Sequence, residues 1–364
     1  MIKISLCMIV KNEEDNLDHC LSSIAKHMDE IVIVDTGSSD GTKDIAQKYT
    51  QKIYDYKWRD DFSAARNFSI SKASNDYILV LDGDEFIQSI DINEVKRLIE
   101  NNPFKIGRIL LSNEYTRKGN LFRFQERLNR LFPKEYYRYK GIIHEQITLL
   151  DSSKGRIGWT DDANWNTTVN LPISVLHVGY EGDLEERRKK TGRNISLLEK
   201  ALQQNENDPY ILYQLGKSYY MEEDYNKAGN YFEQALIFDL NTKLEYVQDM
   251  VESYGYTLIN TEQYDTALGL LNIYDEFSQS ADFVFLIALI LMNNGKINEA
   301  IDEFKKATHL PQAKMEGVND YLSYYNIGVI YECLEAYEKA KYYYSICGNF
   351  EAAEMRIKEL NEKS

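Results

Sequence analysis

The chain changes its patterning once, near residues 180 to 205, and that change fixes what it can fold into. Before it, short β-rich runs alternate with helical patterns. Ile2 to Val10, Glu30 to Asp35, Ile53 to Tyr56 and Tyr77 to Leu81 read as strands, and Asn16 to Lys26, Thr42 to Tyr49 and Phe62 to Ala73 as helices. Such alternation predicts βαβ units around a mostly parallel sheet, whose ligands bind at the carboxyl ends of the strands. After the change the pattern is helical throughout. We therefore expect an α/β domain over residues 1–180, a helical linker over 181–205 and an all-α domain over 206–364. With 364 residues, 43% of them hydrophobic, two such cores are affordable.

The all-α part repeats. Leu215, Gly216 and Tyr219, then Ala228, Phe232 and Ala235, have the spacing of the small and aromatic packing positions of the tetratricopeptide repeat, a helix-turn-helix of about 34 residues. The frame recurs with Gly255 and Ala267, with Ala288, Ala300, Phe304 and Ala307, and with Gly328, Tyr331, Ala340 and Tyr344. The alanines 228, 267, 300 and 340 follow one another at intervals of 39, 33 and 40 residues, so two inter-helix loops carry insertions. Small residues let paired helices approach, and the tyrosines are accounted for by packing between them. Such an array presents a groove for a peptide or protein, and its exposed aromatics also make a homodimer an expectation.

In the first half, the apolar run Leu79-Val80-Leu81 ends in Asp82-Gly83-Asp84-Glu85. Alternate strand residues share a face, so Asp82 and Asp84 are expected to project together at the strand end, where a hard cation such as Mg²⁺ or Mn²⁺ would take carboxylate oxygens and complete its shell from water and phosphates. The same residues also read as an Asp-Gly turn bearing solvated acids. Two other strand ends carry polar clusters: Asn12-Glu13, and Asp35-Thr36-Gly37-Ser38-Ser39-Asp40-Gly41-Thr42. A net charge of −16 without a basic tract disfavours a nucleic-acid partner. Cys7, Cys20, Cys333 and Cys347 lack CxxC spacing and lie in apolar contexts, which predicts reduced core thiols. The apolar start is too short to span a membrane, and a cytoplasmic location is expected. Neither GxGxxG after the first strand nor a GxxxxGK[ST] motif occurs, which disfavours dinucleotide and P-loop chemistry.

Four blocks, Ile4 to Glu14, Ile31 to Thr42, Ala65-Arg66-Asn67 and Val80 to Glu85, occur in the order found in family 2 glycosyltransferases of the GT-A fold, and the first 90 or so residues resemble that family. The resemblance implies a UDP-sugar donor and a Mn²⁺ or Mg²⁺ cofactor. By it, Asn12 and Glu13 line the uridine site with Ser38 and Asp40, Asp35 bonds the uracil edge, Arg66 lies near the diphosphate, Asp82 faces the ribose, and Asp84 is the metal ligand beside Asp82. Individually, Asp40-Gly41 is a competent turn, Thr42 a competent N-cap, and Arg66 a partner for Asp60 or Asp61.

Further on, Arg123 to Phe132, then Gly141-Ile142-Ile143-His144-Glu145, then His177-Val178-Gly179-Tyr180, are together similar to the peptide S-glycosyltransferases that make sublancin-type glycocins, which join a GT-A domain to tetratricopeptide helices. This implies a peptide or protein acceptor. An inverting transfer needs a general base opposite the leaving group. The candidates are Glu145 and, as alternate, His144. By the same family resemblance His177 completes the metal shell; on its own it reads equally as a core histidine. Asp61, in Trp58-Arg59-Asp60-Asp61-Phe62, belongs to a tract shared with these enzymes whose role the residues do not disclose. The leading reading is an inverting, metal-dependent transfer of a hexose or N-acetylhexosamine from a UDP-sugar to Ser, Thr or Cys of a peptide or protein. The alternatives are a saccharide or lipid-linked acceptor in cell-envelope polysaccharide synthesis, and a non-catalytic nucleotide-binding scaffold.

Overall fold

The computed structural model describes residues 2–117, 120–150, 167–177 and 184–362, and the chain divides into two compact units, Met1–Ala201 and Leu202–Ser364. In the first, β1 (Ile4–Val10), β2 (Glu30–Asp35), β3 (Ile53–Asp55) and β4 (Tyr77–Val80) alternate with α1 (Leu17–Ile24), α2 (Thr42–Gln47) and α3 (Phe62–Lys72). These are the expected elements, β2 with its expected bounds and the others trimmed by one to three residues; α1 gives way to a 3₁₀ turn over Ala25–His27. All four strands run parallel, because each is returned by a crossover helix.

The sheet then acquires an antiparallel half. After β5 (Glu85–Ile90) and α4 (Ile92–Asn101), the long strands β6 (Ile106–Arg117) and β7 (Asn120–Pro133) pair with each other antiparallel, and β7 runs antiparallel to β4. With β10 (Thr168–His177) the order is β3-β2-β1-β4-β7-β6-β10-β5, so among the described residues four of the seven pairings are parallel. β8 (Tyr137–Lys140) and β9 (Gln146–Leu149) form a separate hairpin. Central parallel strands are buried on both faces, which is why β1 is apolar along its length. Ile4, Leu6 and Met8 join Leu17, Leu21 and Ile24 of α1 on one side. Cys7 joins Val32, Ile78, Val80 and Phe132 on the other.

A helix, α5 (Leu184–Gln204), follows. It falls within the expected linker 181–205, yet down to Ala201 it belongs to the first unit, so that unit reaches beyond residue 180.

The second unit is a series of antiparallel helix pairs: α6 (Pro209–Met221) with α7 (Tyr225–Leu236), α8 (Glu245–Asn260) with α9 (Tyr264–Ala267), α11 (Ala281–Asn293) with α12 (Ile297–Thr308), and α13 (Tyr321–Cys333) with α14 (Tyr337–Ser345). The second pair continues through a 3₁₀ stretch, Leu268–Ile273, into the short α10 (Tyr274–Phe277), and α15 (Glu351–Glu362) closes the series. The small residues are there for approach. A Cβ at Gly216 would lie 2.5 Å from the Phe232 ring, and one at Gly328 2.5 Å from Tyr344. The tyrosines do pack between helices, as in the stacked pairs Tyr219–Tyr231 and Tyr331–Tyr343, each with ring centroids 5.5 Å apart.

All four cysteines are free, and Cys7, Cys20 and Cys347 are buried thiols as expected. Burial pushes Cys7 and Cys347 up to about 12. Cys333 departs from the expectation: it ends α13 on the solvent side and is exposed.

Candidate functional site

The polar clusters predicted after β1, β2 and β4 meet at one end of the sheet, and the first two are laced together. The Asn12 N–H donates to Ser38 Oγ at 2.9 Å, and Asn12 Oδ1 accepts the Ser39 N–H at 2.9 Å. Asn12 itself has φ 55°, the left-handed region that asparagine tolerates better than most residues. The Glu13 N–H donates to Thr42 Oγ1 at 2.7 Å, and Asp40 accepts from the N–H groups of Thr42 and Glu14 at 3.1 and 3.2 Å. Ser38 and Asp40, expected as nucleotide contacts, thus shape this loop pair.

Asp35, the last residue of β2, is 2% exposed. Its Oδ1 accepts the N–H groups of Gly37 and Ser38 at 2.9 and 3.0 Å, whereas its Oδ2 is buried and has no hydrogen-bond partner. A buried carboxylate oxygen without a donor carries a desolvation cost that a further hydrogen bond would relieve.

Asp82 and Asp84 do not share partners. β4 ends at Val80, and residues 82–85 form a turn closed by the Glu85 N–H on the Asp82 carbonyl at 3.2 Å, so strand alternation no longer applies to them. Asp82 takes Arg66 Nη2 at 2.8 Å and Arg130 Nη2 at 3.2 Å. Arg130 also donates to Glu85 at 2.5 Å, and Arg66 Nε to Glu145. Burial works against the charge on Asp82, but the two guanidiniums outweigh it and hold the carboxyl well below its usual range. Arg66 keeps a buried Nη1 with no partner. It starts from α3, whose N-cap is Asp61, accepting the Ala64 N–H at 2.8 Å; Asp61 is therefore a helix cap, and the surface pairing of Arg66 with Asp60 or Asp61 gives way to this buried network.

Asp84 faces His177 instead, with Oδ2 3.3 Å from Nε2. The other ring nitrogen, Nδ1, lies 2.8 Å from Asn113 Oδ1. β10 places His177 beside both groups, since it registers with Glu85 of β5 and Asn113 of β6. Burial alone would lower His177; Asp84 more than offsets it and raises the imidazole above its usual value, while His177 in turn lowers Asp84 against the effect of burial. Glu13 lies against the turn, where a Cβ on Gly83 would come within 2.9 Å of its Cγ, and burial lifts its carboxyl to about 7. The expected metal set of Asp84, Asp82 and His177 is thus two residues together and one apart. Among the described residues no three acidic, histidine or cysteine side chains are grouped to hold a metal alone.

Glu145 and His144 follow β8, and His144 adopts φ 48°. Its imidazole is lowered by burial. Gly179 and Tyr180 of the later motif lie outside the described residues. Sequence reasoning missed Arg130 and Asn113. The signal for Arg130 was a cation inside the apolar strand Leu128-Asn129-Arg130-Leu131-Phe132, which demands a carboxylate partner.

Residues 5–148 match the model of glycosyl transferase family 2, and residues 212–240 and 281–313 match tetratricopeptide repeat models. A TPR repeat-containing protein of Synechococcus elongatus is 34% identical over 65% of this chain and 57% of its own length, so the chain spans little more than half of that relative. The SPbeta prophage-derived glycosyltransferase SunS of Bacillus subtilis is 26% identical over 87% of this chain and 71% of its own length. Among solved structures, the TPR protein YrrB covers 48% of this chain and 87% of its own at 23% identity and a TM-score of 0.39. The chain carries a family 2 glycosyltransferase domain followed by tetratricopeptide repeats.

Proposed function

We propose that the chain is an inverting, metal-dependent glycosyltransferase that moves a hexose or N-acetylhexosamine from a UDP-sugar to a Ser, Thr or Cys side chain of a peptide or protein, with the repeats engaging the acceptor. The observation that carries this reading is a pair of strand-end sites flanking β1: the unpartnered Oδ2 of buried Asp35 after β2, suited to a uracil N–H, and Asp84, in the turn after β4, with His177. The similarity to SunS over most of this chain supports the glycosyltransferase class. No helix among the described residues is long and apolar enough to cross a membrane, and nothing favours a lipid-linked acceptor over a protein.

The residues fit a divalent cation. Asn113 Oδ1 accepts a hydrogen bond from His177 Nδ1–H in the tautomer that leaves Nε2 free to be a ligand, the outer-shell arrangement common to metal-bound histidines. Asp84 and His177 would hold it, and two protein ligands leave room for phosphate oxygens and water. When bound, the ion neutralises charge developing on the diphosphate.

The chain's own groups do the rest. Asp35 selects the base, and Asp82, fixed by Arg66 and Arg130, presents a carboxylate edge for the ribose. Arg66, held between Asp82 and Glu145, fixes both carboxylates near the diphosphate end of the donor. The acceptor O–H or S–H attacks the anomeric carbon as the bond to the β-phosphate oxygen breaks, and the proton passes to a base. Glu145, held by Arg66, is the assigned base, and His144 beside it is the alternate.

The test is release of UDP from a panel of UDP-sugars with Mn²⁺, Mg²⁺ or EDTA, comparing the native chain with Asp84→Ala. Turnover of one sugar, abolished by EDTA and reduced at least about 100-fold by the substitution, is expected. UDP binding without turnover of any sugar would move the chain to the nucleotide-binding scaffold class, and absence of both would overturn the UDP-sugar reading. Metal-dependent turnover unchanged in Asp84→Ala would remove Asp84 from the metal site.

A further inference from the structure

The tract Trp58-Arg59-Asp60-Asp61-Phe62 caps α3 through Asp61. Its other side chains face α5. The guanidinium of Arg193 lies over the Phe62 ring, 5.5 Å from the centroid, and Phe62 is braced edge-on by Trp58 with centroids 4.8 Å apart. Trp58 Nε1 donates to Asp60 Oδ1 at 2.9 Å, and Asp60 Oδ2 lies 4.0 Å from Lys200 Nζ. At 100° per residue, positions 190, 193, 197 and 200 fall within an arc of about 80° of one helix face. Leu197 on that face is buried, whereas Lys190, Arg193 and Lys200 stay exposed along its edge.

At the start of the same face stands Lys190, whose Nζ is 3.9 Å from Asp84 Oδ2 and whose charge also bears on Glu13 and His177. Lys190 differs from the other cations at these strand ends. Arg66 and Arg130 are buried and already committed to Asp82, Glu85 and Glu145, whereas the Lys190 side chain is 53% exposed and touches a single carboxylate oxygen at the outer limit of an ion pair. Such a contact contributes little to folding. Its position matters more: a compact ammonium with three donors stands beside the carboxylate turn where a diphosphate would bring two further negative charges.

We propose that Lys190 is the side chain that meets the diphosphate of the donor, and that Trp58–Phe62 is the clasp that fixes its helix at the Asp82-Gly83-Asp84 turn. The inference deepens the glycosyltransferase reading and rests on it. A donor carrying two phosphates gains from this cation, and a nucleoside monophosphate, whose charge ends nearer the sugar, gains far less.

Calorimetric titration of the full chain with UDP, GDP, ADP and dTDP, and with the corresponding monophosphates, separates these ideas. The chain is expected to prefer UDP. Lys190→Ala should weaken UDP about tenfold while changing UMP less than about twofold, Lys190→Arg should keep UDP within about threefold, and Arg193→Ala should shift UDP in the same direction as Lys190→Ala. Binding of UDP by the native chain with Lys190→Ala indistinguishable from it, or with equal losses for UDP and UMP, overturns the assignment of Lys190 alone. A native chain that binds none of the nucleoside diphosphates overturns the assignment together with the donor reading it rests on.

Discussion

In the glycosyltransferase unit two carboxylates of the turn after β4 touch guanidiniums: half-buried Asp82 lies 2.8 Å from Arg66 and 3.2 Å from Arg130, and buried Glu85 2.5 Å from Arg130. The repeat unit buries acids differently. Glu252 of α8 accepts from Gln248 Nε2 at 2.9 Å and Ser280 Oγ at 3.0 Å, and its nearest cation, Lys314 Nζ, stands off at 3.5 Å. The outcomes divide by how many cations reach the acid. Asp82, with two guanidiniums, is held well below the usual carboxylate range, whereas burial wins at Glu252 and also at Glu85, which has one guanidinium and the charge of Asp82 beside it. Neutral donors with a distant ammonium, or a single guanidinium, leave a buried carboxylate incompletely solvated; two planar, multi-donor guanidiniums in contact do better.

The largest expected effect breaks the first of these arrangements. Arg130→Ala strands Glu85 and half of Asp82 in a buried site, and removal of one partner of a buried charge network costs about 3 to 5 kcal/mol. Denaturant unfolding of the full chain should show that loss in the transition of the first unit, with the helical transition unmoved. A loss below about 1 kcal/mol would mean that the network is solvated and that the contrast between the units is one of surface ion pairs.

A second comparison uses acid. Glu30, at the start of β2, bonds Ser5 Oγ and Lys52 Nζ and accepts the Ser74 N–H at 2.7 Å. Burial alone would raise it, but these donors bring it from 4.5 down to about 2. A folded value below the unfolded one means stability that is complete above about pH 4.5 and is lost as the pH falls toward 2. Glu30→Gln should therefore cost the first unit about 2 to 3 kcal/mol at neutral pH and flatten its acid limb. Glu252 has the other sign: its folded value is raised, so the repeat unit gains stability as the pH falls through that value toward 4.5, and Glu252→Gln should stabilise it at neutral pH. Thermal melts of both variants across pH 3 to 7, followed unit by unit, decide the matter. Shifts of the same sign in both would erase the distinction.

What could be read in the sequence divides along the same line. The repeat helices were legible because period, small residue and aromatic recur locally, so each turn of chain announces its own packing. The parallel half of the sheet was legible for a similar reason, as strand and crossover alternate within some 25 residues. The Asp82–Arg66–Glu145 chain of contacts was not, since it joins residues 16 and 79 positions apart through side-chain geometry that no spacing encodes. Asp82 and Asp84 illustrate the limit. Strand alternation put them on one face, but the strand stops at Val80, and the turn that follows sends one to the arginines and the other to His177. Lys190 was hidden because its helix is anchored from Trp58–Phe62, more than 120 residues away, and a basic helix start alone reads as a solvated face.

The repeat unit still contains an irregularity that local reading did not expose, and it yields the smallest predicted effect. Each turn between paired helices passes through one residue in the left-handed region: Glu223 at φ 59°, Glu262 at 58°, Gly295 at 70° and Glu335 at 57°. In all four turns the next residue's N–H reaches back to the fifth preceding carbonyl, as Asp224 does to Tyr219 at 3.0 Å and Lys296 to Leu291 at 2.9 Å. This is the glycine C-cap geometry, occupied by glycine once and by glutamate three times. A side chain there costs about 1 to 2 kcal/mol in local conformation, partly offset because glycine loses more entropy on folding. Glu223→Gly should therefore stabilise the repeat unit by about 0.5 to 1 kcal/mol, and Gly295→Glu should cost a similar amount. Amide exchange in the flanking helices, slowed by the first change and quickened by the second with the β1–β4 amides unaffected, is the readout. Equal exchange in both variants would mean that the helix pairs, not their turns, set the local stability.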